Sequence, residues 1–187
     1  MGKISAIDIK KLWYADEIKD ALTPATLKTL LTTAKEVENV HQDTWQIEEG
    51  EASQDSYRNQ LTGRVYRLGK RQAGELTVNF TIGQYDYETK AALMGGSMLD
   101  ENGAVTETAK NAVGWARGDV QEIYKTIVAL TVDDVYLTVS RSSMGTREAS
   151  TDGAIGLAVS GTMTDSLYSG VASEYWYDKA TVDKAGA

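Results

Sequence analysis

The 187-residue chain has no cysteine, one proline and one histidine. Without cysteine there is no disulfide, no thiolate metal ligand and no thiol nucleophile. The single histidine, His41, falls between an expected helix and an expected strand. It has no second ligand at metal-binding spacing, and a Ser-His-Asp site would have to use it. It reads as a solvated structural residue. No G-x-S-x-G, G-x-x-x-x-G-K-[ST] or G-x-G-x-x-G pattern occurs. No apolar run approaches bilayer length, and MGKISAIDIKKLW lacks the apolar centre of a signal peptide. The expectation is synthesis in a cytoplasm, with no membrane partner. Scarce proline suits long paired strands, because proline removes a ladder donor. Seventeen glycines supply turns and bulges.

Positive charge is also short. The net charge is −8 and the pI about 4.7. Tight direct binding of nucleic acid wants a basic surface, so this balance argues against it. Acidity either keeps the protein soluble or, in a conduit, repels phosphates from the wall. Glu48, Glu49 and Glu51 form one acidic patch and Asp133-Asp134 another. Neighbouring strand residues point to opposite faces, which spoils a paired-carboxylate site, although Glu49 and Glu51 share a face. Asp100 and Asn102 have calcium-loop spacing, but the glycine is misplaced and no closing Glu follows. No catalytic, metal or cofactor residue is expected, and the protein is not expected to be an enzyme. Arg64, Arg67, Lys70 and Arg71 cluster near one turn. They suit a phosphate or an acidic neighbouring subunit.

What is present is β-pattern. In residues 74–96, GELTVNFTIGQYDYETKAALMGG, Leu76, Val78, Phe80 and Ile82 alternate with Glu75, Thr77, Asn79 and Thr81. That is the period of a half-buried strand. Asp86 suits a helix N-cap, Glu88 the first turn, and Gly95-Gly96 the C-terminus. Tyr87, Ala91 and Met94 are expected as the apolar stripe, with Leu93 beside them. A first strand is expected around Leu12 to Tyr14. Thr23-Pro24 opens a helix expected over residues 24–38, with Leu27, Leu30, Leu31, Ala34 and Val37 on one face. Residues 43–49 read as a strand with Trp45 and Ile47 inward. Residues 50–63 read as a long polar loop. Residues 122–132 should be covered on both faces, and Val135, Leu137 and Val139 alternate. Residues 142–153 read as another polar loop. In residues 154–164, Ile155, Leu157, Val159 and Met163 share one face, and Ala154, Gly156, Ala158, Ser160, Thr162 and Thr164 the other. The small-residue face invites close approach by a helix, a neighbour or a pore. Tyr175-Trp176-Tyr177 is a final strand or an interface core. The expected fold is mainly β (α+β): a β-sandwich or partly closed β-barrel with a short flanking helix and an N-terminal helix. One domain is expected over residues 1–187, with a strand and helix arm at 1–40, a β core at 41–170 and a tail at 171–187.

The strand followed by Q-x-D-x-E-T-x-A-A-L-x-G-G resembles the segment leading into the flanking helix of phage major tail tube proteins, which are similar in fold to type VI secretion tube proteins. The resemblance covers residues 43–165 in strand order. It implies a structural subunit that forms stacked hexameric rings, a hollow conduit for DNA in the virion tail, contacts with other tail proteins, and DNA passing through the lumen without specific binding. It implies that the loop at residues 50–63 reaches a stacked ring and that residues 120–139 carry sheet continuity between subunits. The interface candidates are Glu49, Glu51, Tyr57, Arg58, Arg64, Arg67, Tyr136, Ser160, Thr162 and Trp176. A secretion or contractile-injection tube would share this architecture. A monomeric carbohydrate-binding sandwich is the rival of another class; it would want Tyr175, Trp176 and Tyr177 aligned on one exposed face.

Overall fold

The computed structural model describes residues 6–151 and 153–185. The outer limits of the expected domain and position 152 of the expected second loop lie outside them. Along the chain come β1 (Ile9–Ala15), α1 (Pro24–Thr33), β2 (Lys35–Glu36), β3 (Gln46–Glu49), β4 (Ser56–Arg58), β5 (Val65–Leu68), β6 (Leu76–Ile82) and α2 (Tyr87–Met94). They are followed by β7 (Ser97–Leu99), β8 (Val105–Thr106), β9 (Gly114–Ala116), β10 (Tyr124–Thr131), β11 (Val135–Thr151), β12 (Ala154–Met163), β13 (Glu174–Asp178) and α3 (Lys179–Lys184). The fold is mainly β, with open antiparallel sheets.

The main sheet runs β2-β1-β10-β11-β12-β6-β3, with β13 also on β11. β11 organises it. Its first residues pair with β10 on one edge and β13 on the other; from Ser142 onward it pairs with β12. An extra residue separates Val139, opposite Ile127, from Ser142, opposite Lys125. Such a bulge reverses side-chain alternation and bends the strand. Val139 before it and Met144 after it therefore both reach one core. That core joins Leu12 and Tyr14 of β1, Ile127 and Ala129 of β10, Leu157 and Val159 of β12, the inward residues of β6 and Leu93 of α2. Arg141 sits at the bend. It pairs with Glu17 at 3.0 Å, donates to Thr164 Oγ1 at 2.9 Å and lies 3.6 Å from the Tyr124 ring centre.

The other face of β1, β10, β13 and the start of β11 carries a second core under α1 and α3. Trp13, Leu27, Val128, Leu130, Tyr136 and Val182 meet there. Tyr177 donates to the Leu22 carbonyl at 2.6 Å, and Lys28 Nζ donates to the carbonyls of Asp183 and Ala185 at 2.8 and 2.9 Å. These last two bonds occupy acceptors that the end of α3 leaves open.

Several expectations need correction. The helix that starts at the Thr23 cap stops at Thr33, not at residue 38. Ala34 is extended, Lys35 and Glu36 pair with β1, and the Val37 N–H bonds to the Leu12 carbonyl. Sheet hydrogen bonds replace helical ones there, and Val37 joins the first core instead of the helix stripe. On α2, Thr89 and Leu93 are buried and Met94 packs half-buried against the first core, whereas Tyr87 of the expected stripe is exposed; the Tyr14 hydroxyl lies on Thr89 Oγ1 at 3.2 Å. Within the expected strand and helix arm, β1 is an inner strand of the main sheet, between β2 and β10. Residues 142–150 are strand, not loop. Ile47 is exposed, while Trp45 is half-buried against Phe80, ring centres 6.3 Å apart.

Candidate assembly surfaces

Between Gln46 and Asn79 the chain forms one long antiparallel hairpin. The β3–β6 ladder pairs Gln46 with Asn79 and Glu49 with Leu76. It continues beyond the body through Gly50 N–H to the Glu75 carbonyl at 2.9 Å and through the Ser53–Gln72 bridge. It ends in the β4–β5 pair, Ser56 to Leu68 and Tyr57 to Arg67. At the tip the Asn59 N–H bonds to the Arg64 carbonyl at 2.8 Å, and Asn59 Oδ1 accepts from the N–H groups of Leu61 and Thr62. Gly63 takes a positive φ of 68°. Residues 50–63, expected as a loop, are thus one strand of an arm and its tip. About ten residues per strand give a reach of roughly 30 Å.

The root of the arm depends on glycine. A Cβ on Gly74 would lie 1.8 Å from the Gly50 carbonyl oxygen. The two strands pass too closely there for any side chain.

The arm has no core. Leu61 is 95% exposed, and Tyr57, Val65, Tyr66 and Leu68 are also exposed. A lone two-stranded hairpin is marginal in water. Its charge is split along its length. Glu48, Glu49, Glu51, Asp55 and Glu75 lie toward the root, whereas residues 56–72 carry five cations and no acid. Those five leave −13 on the rest of a chain whose net charge is −8. Arg67 lies 5.7 Å from the Tyr57 ring centre, which arranges the exposed ring and cation together.

Six of the ten candidate interface residues, Glu49, Glu51, Tyr57, Arg58, Arg64 and Arg67, fall on this arm or its root. Ser160 and Thr162 lie on a second surface, the face of β11, β12, β6 and β3 turned from the core. Its rows follow the register: Ser143, Thr162, Thr77 and Glu48; Gly145, Ser160, Asn79 and Gln46; Arg147, Ala158 and Thr81. It is built of hydroxyls, amides and small residues, with a charge only on each outermost strand.

Tyr136 belongs to neither surface. It is 6% exposed, its ring centre 6.2 Å from that of Trp13. Residues 120–139 leave no open edge for another subunit along β10, which is flanked by β1 and β11. Trp176 is 41% exposed and donates its indole N–H to Glu174. Tyr175 and Tyr177 stack on the opposite face, 6.2 Å apart and 14° from parallel, against the second core. The three aromatics therefore form no single exposed strip. Arg147 escaped the sequence reading because it lay in the expected loop. The Asp152-Gly153 pair between two β-like stretches was the available hairpin signal.

Beside the face, α2 is anchored by charge. Lys35 pairs with Asp86 at 2.7 Å and also with Glu88. Burial opposes ionisation of Asp86, yet hydrogen bonds from Lys35 and the Thr89 N–H hold its carboxyl below the ordinary value. Lys90 bonds to Glu148 at 2.6 Å, its ammonium 4.1 Å from the Trp115 ring centre. That bond is the main reason the Glu148 carboxyl is also held low.

No protein-family model matches the chain, and no curated protein matches it in sequence.

Proposed function

We propose that the chain is a structural subunit that assembles into stacked hexameric rings, forming the hollow tail tube of a bacteriophage through which DNA is delivered. The observation that carries this reading is the arm. A hairpin reaching roughly 30 Å with exposed Leu61 and Tyr66 is built to be covered by something outside its own chain. A second copy supplies that cover, because the body is acidic where the arm's outer half is basic. The face of hydroxyls and small side chains suits the bore, since it offers phosphates few cations to hold. Residues 35–41 support a partly closed barrel: the Val37 N–H bonds to β1, the His41 N–H bonds to Thr81 of β6, and the Asn39 carbonyl accepts from Gly83 just past the end of β6. The outer cover is α1 with α3. Other tail proteins would meet the ends of the tube, in the virion tail.

Electron microscopy of the purified chain over a concentration series tests the reading. Rings or tubes of uniform bore are expected. Replacing residues 54–71 by Asn-Gly should leave a folded monomer that no longer stacks. Tubes of unchanged length from that variant would contradict the role of the arm.

A further inference from the structure

The four-stranded stretch β11-β12-β6-β3 ends in two open edges. The strand order stops at β3. On the opposite side, the Met144 N–H bonds to the Ile123 carbonyl, and beyond it residues 145–150 of β11 have β12 on one edge and no strand on the other among the described residues. Open edges of this kind are templates for another chain.

We propose that the outer edge of β3 in one copy pairs with the outer edge of residues 145–150 of β11 in the next, with Glu48 set against Arg147 across the seam. The proposal rests on the ring reading and names its contact. Three features favour it. First, strand direction fits. Each neighbour in the stretch is antiparallel, and four strands is an even number. A copy repeated by rotation therefore presents β11 antiparallel to β3.

Second, charge fits. In the three registered rows of the outer face, the charged residues are Glu48 on one edge strand and Arg147 on the other. Both are exposed, and neither has an ion pair among the described residues. A two-fold pairing of like edges would set Glu48 near Glu48, or Arg147 near Arg147. Only the head-to-tail pairing opposes unlike charges, and head-to-tail contacts that close make rings.

Third, the offset fits. Through the ladders Glu48 is level with Ser143, so meeting Arg147 needs a shift of four residues over four strands. One residue per strand, at about 3.3 Å rise and 4.8 Å spacing, tilts the strands by about 35°. Closed sheets need such a stagger, with tilts of about 35–45°.

Charge reversal tests the seam. E48R and R147E, each alone, should raise the concentration needed for assembly roughly tenfold, read by sedimentation velocity, with monomer circular dichroism unchanged. The double variant E48R/R147E should return close to the original concentration. Because the chain has no cysteine, E48C/R147C adds a second readout. Within one copy the two positions are separated by three strand spacings across the sheet and four residues along it, about 20 Å, too far for a disulfide. Oxidation should therefore give a ladder of covalent multimers, and E48C alone should not. Normal assembly by both single reversals, with no ladder, would overturn the seam and leave the ring reading standing. Failure of the double variant to recover would also overturn it. A wild-type chain that stays monomeric at every concentration would overturn both.

Discussion

Leu27 in α1 and Leu61 at the arm tip are the same residue in opposite situations: one is fully buried, the other 95% exposed. The helical layer takes apolar side chains from α1, α3 and the sheet and closes over them within one chain. The arm takes Tyr57, Leu61, Val65, Tyr66 and Leu68 and closes over none of them. The helical layer is satisfied by folding. The arm is a strand pair held by backbone bonds and a tight glycine root, with its apolar side chains left uncovered by its own chain.

The sharpest break between the two regions comes from matched truncations. Leu27→Ala should lower folding stability by about 2–5 kcal/mol, measured by chemical denaturation of the monomer. Leu61→Ala should leave that stability within about 0.5 kcal/mol while raising the concentration needed for assembly. Gly74→Ala should follow in size. Its Cβ cannot fit against the Gly50 carbonyl, so the root must move, at a cost on the order of 1–3 kcal/mol. The shift should appear in amide spectra of residues 50–75 and spare the second core.

A pH series sharpens the picture at the body. Asp86 has a lowered carboxyl pKa, so its contribution is present above the ordinary value of 3.8 and is lost as pH falls through the lower folded value. Asp86→Asn should flatten that acid limb of the stability curve, read from denaturation midpoints below pH 4. A small effect is also expected at Trp176. Its ring is partly exposed beside Glu174, and Trp176→Ala should change monomer stability by about 1 kcal/mol or less.

This contrast also explains what the sequence revealed. The alternation in β6 and the capped helix after it were readable because one face of each is buried, and burial imposes a period. Asp86, Glu88 and Gly95 occupy the expected cap positions of α2. Residues 50–63 of the arm and residues 142–150 of β11 were read as loops because neither carries an apolar period: the arm is uncovered on both faces, and Met144 is the one large apolar side chain that this part of β11 turns into the core. Tyr136 was misplaced for a related reason. Tyr136 and Leu137 lie on opposite faces of β11, and both faces are covered, one by α1 and α3. Alternation alone does not say which covering layer belongs to the same chain. The sequence grouped Glu49, Glu51, Arg58, Arg64 and Arg67 in one stretch, and that stretch is the arm and its root. The placing of Glu48 and Arg147 on the two outermost strands of one face was not legible, because it depends on register.

The most direct test is amide hydrogen exchange over residues 50–73, followed in the monomer and in the assembled state. The account expects exchange near the rate of an open chain in the monomer and strong protection after assembly, while α1, α3 and β10 are protected in both. An arm that exchanges equally fast in both states, or one already fully protected in the monomer, would contradict the claim that a neighbouring copy covers it.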